Sequence, residues 1–585
     1  MTGGPFTFTG VRAIQIPPLM AFVGLAVAAL LVVVIADRLR DPRRRHGLAL
    51  RWRLHWRLYP GRGFARRLEL YRHYGLPAAR KVARQARPSL RTWWLRHTVH
   101  HREIAIFLGW AQGWLWPWRV YATLEDNVLI LAPQKEGKTA HLAGRIIDAP
   151  GAVIVTSIRD DIVASTAGLR GQRGTVHLFN PEQVGEWAST VRWSPVDGCE
   201  DPATAIRRAA HMVAAIDTSG LSDQGFWSNQ AAMVLAALLH AAALEHLTMA
   251  EVDAWALDED PTPLTILSQR RPGLNTDRAA AQVRRYHALH VRTRDSIFLT
   301  LRQVLQCMDD PTTAWTLCPP HGEGLDLEDM LRRRETLYLI SGDSLSPATP
   351  ILFSTLVAEI HHTARQLASR RNGRRLDPPV TFVLDEAPAI CPIPHLPTWL
   401  ATAAGSGFCF LVGGQSWSQF QERWGKDSAR TIWNNTKAKL LFGATSDPDD
   451  TETMSALCGQ IALPYWETSV DGSGKRMRTR RWEMVPVLPP EEARMLRTWR
   501  ALAVRRNALP TIVRIERVWR RADYKRWRAK DGHIPLPSLG LGPAPGDLSG
   551  TTDEQLADPS WTAAERGRRP RPARPWHSAE PGNEA

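Results

Sequence analysis

A short apolar run, Val128 to Leu131, passes directly into Ala132-Pro133-Gln134-Lys135-Glu136-Gly137-Lys138-Thr139 and then into residues that favour helix. A buried strand that turns straight into a helix belongs to a parallel α/β sheet, because the helix is the crossover to the next strand. The loop fits the P-loop pattern, with Ala132 in place of the first glycine. In such a loop, backbone N–H groups and the helix N-terminus surround phosphate oxygens, a lysine neutralises the β/γ oxygens and a hydroxyl ligates Mg²⁺. Lys138 and Thr139 stand where those last two tasks fall. The alternative reading is a turn rich in Gly and Lys.

Val380 to Leu384 is a second apolar strand, ending in the adjacent carboxylates Asp385 and Glu386. Acids at the end of a buried strand suit a Walker B element, in which Asp385 holds Mg²⁺ through water and Glu386 activates the attacking water. Alone the pair means little; following a P-loop in a parallel-sheet pattern, it points to nucleotide hydrolysis. A third run, Phe408 to Gly414, ends in Gln415-Ser416. That puts an amide at a strand carboxyl end, where α/β sheets bind ligands. Gln415 can there touch the γ-phosphate and sense hydrolysis; a strand-end turn residue is the alternative. Val153 to Thr156, Val176 to Phe179, Leu337 to Ile340 and Lys439 to Phe442 read as further buried parallel strands. The expected fold class is α/β: a RecA-like P-loop NTPase domain with an inserted all-α domain and an N-terminal transmembrane helix, using ATP and Mg²⁺.

The chain's 585 residues exceed one compact core and correspond to about three or four domains. Leu19 to Ala36 runs eighteen residues without a charge, about 27 Å of helix, enough to cross a hydrocarbon core; a buried helix and a cleaved signal peptide are the alternatives. Arg12 alone precedes it, whereas eight arginines between Arg38 and Arg57 follow, opposed nearby by Asp37 and Asp41. The positive-inside rule then leaves the bulk of the chain in the cytoplasm of a single-pass inner-membrane protein. The basic collar continues to Arg102 with aromatics among the arginines (Trp52, Trp56, Tyr59, Trp93, Trp94), and serves either as a patch for headgroups or DNA or as topology information alone. The net charge of +16 favours a polyanionic partner. Ile104 to Trp118 is apolar but short; it reads as opening strands, with a re-entrant or interfacial segment as the alternative.

The six cysteines form no C-x-x-C pair, and the nineteen histidines form no HExxH or C2H2 pattern. Neither a disulfide framework nor a metal site made only of protein ligands is expected. Between Asn180 and Arg334 helices replace strands: Asp201-Pro202 opens one, Phe226 to Leu247 reads as a buried core helix, and Thr293 to Met308 is amphipathic. The expected organisation is a segment 1–37 with the transmembrane helix at about 19–36, then a basic aromatic-rich juxtamembrane region 38–120. Nucleotide-binding parts at 121–185 and 335–520 flank the inserted all-α domain 186–334, and a basic, Pro-rich tail 521–585 is expected to be disordered.

Taken in order, these elements resemble the type IV coupling proteins of the TraG/TraD class and, more distantly, FtsK-type translocases. Leu411 to Gly443 carries most of the likeness: VGGQSWSQFQERWG, then Ala429, Ile432-Trp433-Asn434, a strand and Gly443, followed by Asp447, Ser455 and Gly459. Phe226-Trp227 leading into an Ala/Leu helix is similar to the family's all-α domain. Ser194 to Ala209 and the Asp-Glu-Ala-Pro form of Walker B look most like the actinobacterial branch. The resemblance implies a homo-oligomeric ring, usually a hexamer, with ATP at its interfaces. It implies coupling of hydrolysis to transfer of DNA, as a relaxase–DNA complex, or of protein through type IV secretion channel components. Residue by residue it assigns Lys138 and Thr139, with the loop from Ala132, to nucleotide and Mg²⁺, Asp385 and Glu386 to Walker B, and Gln415 to the sensor. Two features depart from the family. Many members have two N-terminal spans where one stands here, and some carry a trans-acting Arg where this chain has Ala404-Gly405-Ser406, leaving Arg423 and Arg430 as candidates. An FtsK-like double-stranded DNA translocase and a non-hydrolysing membrane receptor for secretion substrates are the competing functions.

Overall fold

The computed structural model describes residues 63–530 except 112–116, 186, 217–223, 259, 270–275, 343–347, 471 and 473–475. The expected transmembrane helix, the arginines 38–57 and the tail from 531 lie outside the described residues. In chain order the strands are β1 (Ala105–Ala111), β2 (Trp118–Thr123), β3 (Val128–Leu131), β4 (Val153–Ser157), β5 (Val176–Phe179), β6 (Thr336–Ile340) and β7 (Val380–Leu384). They continue with β8 (Phe408–Gly414), β9 (Ala438–Phe442), β10 (Gln460–Val470), β11 (Arg476–Pro486), β12 (Arg500–Arg505) and β13 (Thr511–Arg514).

The chain forms two compact units. Among the described residues the first comprises 63–150, Asp377–Pro379 and Pro397–Arg521. Its sheet runs β2-β1-β13-β12-β9-β3-β8. β3 lies parallel between β8 and β9, with Val128 opposite Leu411 and Ala438. Val128, Leu129 and Ile130 are fully buried, as a strand covered on both faces requires. Beyond β9 the sheet turns antiparallel through β12, β13, β1 and β2. Residues 105–111 of the short apolar patch therefore form a strand. β10 and β11 pair over their whole length as a separate antiparallel hairpin, from Gln460 opposite Pro486 to Val470 opposite Arg476.

Upstream of β1 the basic stretch contains helices, among them Leu76–Ala86 and Trp93–Thr98. Trp93 and Trp94 are exposed, and their rings stack at 5.8 Å. Arg87 instead faces inward, pairing with Asp377 at 2.6 Å and Glu103 at 2.9 Å.

Among the described residues the second unit comprises Gly151–Leu376, Val380–Leu396 and Ala522–Lys530. Its strands run β7-β4-β6-β5, all parallel, with Val153 opposite both Thr381 and Thr336. Between β5 and β6 the described residues contain helices and no strand. The helix Pro202–Ala214 begins where Asp201 accepts from the backbone N–H groups of Ala203 and Thr204, with proline at the first helical position. Beside it Gln224–Leu244 runs through the helical core, burying Ala231, Leu235, Leu239 and Ala242 completely. Among the described residues one helix, Phe226–Leu244, is long and apolar enough to cross a membrane, and 67% of its apolar window is buried inside the protein. It ends in a Schellman turn: His246 N–H donates to the Ala243 carbonyl and Leu247 N–H to that of Ala242, with His246 left-handed at φ 55°. Glu359, on the helix Ala348–Ser369, accepts from Arg207 and Arg208, each at 3.0 Å, and is nearly inaccessible to solvent. Burial opposes its ionisation, but the two guanidinium groups outweigh it and hold the carboxyl below its usual range. The cluster ties the helix Pro202–Ala214 to the helix Ala348–Ser369, and removing one partner would strand the other's charge in the core.

Candidate functional site

In the first unit β3 ends at Leu131, and the Ala132 N–H donates to the Gly414 carbonyl at 3.1 Å, which ties the start of the loop to the end of β8. Lys135 and Gly137 are both left-handed, at φ 63° and 108°. Such backbone curls a loop so that successive N–H groups can converge on an anion. Gly137 is required there twice over: its φ disfavours a side chain, and a Cβ would meet the Trp499 ring at 2.6 Å. The loop is propped from that side, since Trp499 N–H donates to the Glu136 carbonyl at 3.3 Å. The helix Lys138–Asp148 follows; Lys138 is buried and Thr139 half-buried. Pro133 and Glu136 are half-buried, and Gln134 and Lys135 are exposed.

Behind the loop the same helix is held by charge. Arg145 contacts Asp148 at 2.9 Å and Glu516 at 2.7 Å and donates to the Phe107 carbonyl; Arg521 reaches Asp148 at 2.7 Å. Burial opposes ionisation of Asp148, but Arg145 and Arg521 overcome it and hold the carboxyl below its usual range. His141, one turn into the helix, is wholly buried; burial and then the Arg145 charge push its pKa well down, so the imidazole is neutral.

Gln415 follows β8, and its backbone N–H donates to Gln419 Oε1 at 3.1 Å. It lines a small cavity with Leu131, Pro133, Trp433, Thr445 and Asp450. Asp450 was not foreseen from the sequence. Its half-buried carboxyl accepts from the Trp417 N–H at 3.4 Å and is pushed up to about 6, first by burial and then by Asp447. Asp447, part of the family-like signature, caps the helix Pro448–Cys458 by accepting from the Asp449 N–H at 3.0 Å. Gly425 of that signature, left-handed at φ 74°, kinks the helix Trp417–Asn435. Of the two arginines considered for a trans role, Arg430 is exposed and Arg423 half-buried.

In the second unit β7 delivers Asp385 and Glu386, both buried. Asp385 N–H donates to the Thr156 carbonyl at 3.2 Å, and Thr156 Oγ1 donates to the Asp385 carbonyl at 3.3 Å, locking the strand end against β4. Glu386 is left-handed at φ 52°, an unusual conformation for a residue with a side chain, and its carbonyl accepts from the Ala389 and Ile390 N–H groups. Strain of this kind clusters at functional positions. Asp161, just after β4, joins these acids: burial pushes its carboxyl up, Arg159 opposes, and the charges of Asp160 and Asp385 reinforce the rise. Thus the loop 132–139 and Gln415 belong to the first unit, and Asp385 and Glu386 to the second.

Parallel strands whose carboxyl ends carry a curled loop, an amide and paired acids define an α/β protein of RecA-like architecture. Residues 379–498 match the family model described as the TraM recognition site of TraD and TraG. Over that segment the chain resembles TraD and TraG. Among solved structures it is similar to the bacterial conjugative coupling protein TrwB in its unbound monoclinic form, at 17% identity over 68% of this chain and 87% of that one, with a TM-score of 0.53. The plasmid coupling protein TrwB in complex with ADP and Mg²⁺ is similar at 16% identity over 68% and 87%, with a TM-score of 0.50. At these identities the likeness is one of fold. No curated protein matches the chain.

Proposed function

We propose that the chain is a membrane-anchored ATPase that couples ATP hydrolysis to transfer of DNA, as a relaxase–DNA complex, or of protein through a type IV secretion apparatus, working as a homo-oligomeric ring, in the usual case a hexamer. The observation that carries this reading is the curled loop 132–137 at the end of β3 in a chain that matches TraD and TraG over 379–498. TrwB has been solved with ADP and Mg²⁺, and the donor set here suits the same pair: converging N–H groups, one buried lysine, one hydroxyl and buried acids at a strand end. The division into nucleotide-binding parts 121–185 and 335–520 around an all-α domain 186–334 is part of this proposal.

In it, the N–H groups of residues 132–137 and the Lys138 ammonium hold phosphate oxygens. Thr139 and Asp385 hold Mg²⁺, which supplies charge neutralisation at those oxygens when bound. Glu386 accepts a proton from the attacking water, and Gln415 touches the γ-phosphate and senses its hydrolysis. The experiment is ATP turnover by the detergent-solubilised full chain, with and without single- and double-stranded DNA, beside Lys138→Ala and Glu386→Gln. DNA-stimulated turnover, abolished by the first substitution and lowered roughly 10²–10⁴-fold by the second, is the expected result. Preference for duplex would favour an FtsK-like translocase over a coupling protein. Nucleotide binding without turnover, with DNA present, would replace the motor with a docking receptor.

A further inference from the structure

Glu200, His246 and His321 come from three connections of the second unit: the residue before the Asp201 cap, the turn that ends the helix Gln224–Leu244, and the segment between Leu317 and Leu327. Far apart in sequence, they escape any short-spacing motif. In the fold one carboxylate oxygen and one nitrogen of each imidazole lie within 4.8 Å of one another. The two rings stand 4.0 Å apart between centroids, tilted by 44°. An imidazole nitrogen offers a lone pair to a metal, and the two rings stand close enough to share one ion.

The backbone adds an independent sign. His246 occupies the left-handed position of the Schellman turn, at φ 55°, where glycine is easiest and a residue with a side chain is disfavoured. The chain places an imidazole at that position, next to a second imidazole and a carboxylate. His246 and His321 are exposed and Glu200 half-buried, so an ion reaches them without any opening of the core. Asp197 lies close enough for the charges of His321 and Glu200 to act on its carboxyl.

We propose that Glu200, His246 and His321 bind one divalent late transition-metal ion, Zn²⁺ being the best fit, and that the ion pins together three connections of the helical core. Two imidazoles and one carboxylate form a donor set used for Zn²⁺, with a remaining position for water. Mg²⁺ and Ca²⁺ require oxygen ligands and are excluded by the two nitrogens. Tetrahedral Zn²⁺ with bonds of about 2.0–2.2 Å needs its ligand atoms roughly 3.3 Å apart. Rotation of two exposed imidazoles closes the observed separation. The site is independent of the nucleotide chemistry proposed above and stands or falls separately.

The test uses the untagged full chain in detergent, stripped by chelator and free of nucleotide, titrated with Co²⁺ as a spectroscopic probe. The expected result is a visible d–d absorption band that saturates at a single equivalent per chain, collapses on addition of Zn²⁺ and is untouched by excess Mg²⁺. Lys138→Ala retains the band; His321→Asn loses it. His246→Gly is the sharpest variant, since it relaxes the turn: it should melt higher than wild type without metal, yet gain nothing from Zn²⁺, which raises the wild-type melting temperature. Because that substitution is expected to stabilise the fold, loss of the band in it cannot be put down to unfolding. Absence of a saturable band in wild type, or a band that persists in both histidine variants, overturns the proposal.

Discussion

Asp450 shows how one residue carries information about pH. Its carboxyl is pushed up to about 6 by burial and by Asp447, so the folded chain binds this proton more tightly than the unfolded chain does. A raised folded pKa means stability that is fully present below the unfolded value and lost as pH rises through about 6. The side chain is only half-buried, and solvent screening reduces the effect to about 1 kcal/mol. Asp450→Asn is therefore expected to raise stability near neutral pH by about that much and to flatten its pH dependence across the acid range. Urea midpoints for both proteins at acid and neutral pH measure this, and parallel pH profiles would show that the carboxyl carries no such cost. Asp450 also faces Pro133 and Gln415 across the small cavity, so the same series reports on the surroundings of the loop.

At the scale of elements, the helix Gln224–Leu244 holds the second unit's helical core together. Leu239 is completely buried in it, and Leu239→Ala is expected to cost about 2–5 kcal/mol, read from chemical denaturation of the solubilised protein. A loss well under 1 kcal/mol would mean that the core collapses around the gap. This helix was legible in the sequence because a long, largely Ala/Leu stretch must be covered by something, and Asn229, Gln230 and His240 argue for protein over lipid as the cover. The strands β3 to β9 were legible for a related reason: each is an apolar run with both faces buried. The hairpin β10–β11 was not. Pro464 interrupts one strand, and along the other Met477, Trp482 and Met484 are exposed among arginines, so no face repeats with period two. Its pairing is fixed by the backbone ladder and by cross-strand contacts such as Arg481 with Glu467 at 2.6 Å. The loop 132–139, Asp385, Glu386 and Gln415 could be read as candidates because each follows directly from a strand end. Asp161 and Asp450 could not, since their company depends on which strands and helices become neighbours.

For the whole molecule the dominant quantity is charge, +16 over 585 residues. On the proposed function the partner is a polyanion, and the described basic stretch offers Arg72, Arg84 and Arg91 as exposed contacts, whereas Arg87 is committed to Asp377 and Glu103. Binding of duplex DNA should weaken steeply with salt, with a slope of roughly −0.9 in log–log form for each phosphate neutralised. Replacing those three arginines with glutamine is expected to lower the slope by up to about 3, while Arg87→Gln disturbs folding and leaves the slope alone. Fluorescence anisotropy across a salt series distinguishes these outcomes. An unchanged slope in the triple variant would move the DNA contact to another part of the chain.

The family-matched segment ends at residue 498, and the next residue is the tryptophan whose ring covers Gly137 and whose N–H donates to Glu136. The Trp499 carbonyl in turn accepts from the Ile515 N–H at 2.9 Å, so the brace is anchored from behind. Reciprocity follows: a ligand that tightens the loop must tighten this turn, and a partner that tugs on the turn must slacken the grip on the ligand by the same free energy. On the proposed function, a partner bound at the end of the matched segment and a nucleotide in the loop would be coupled through this single joint.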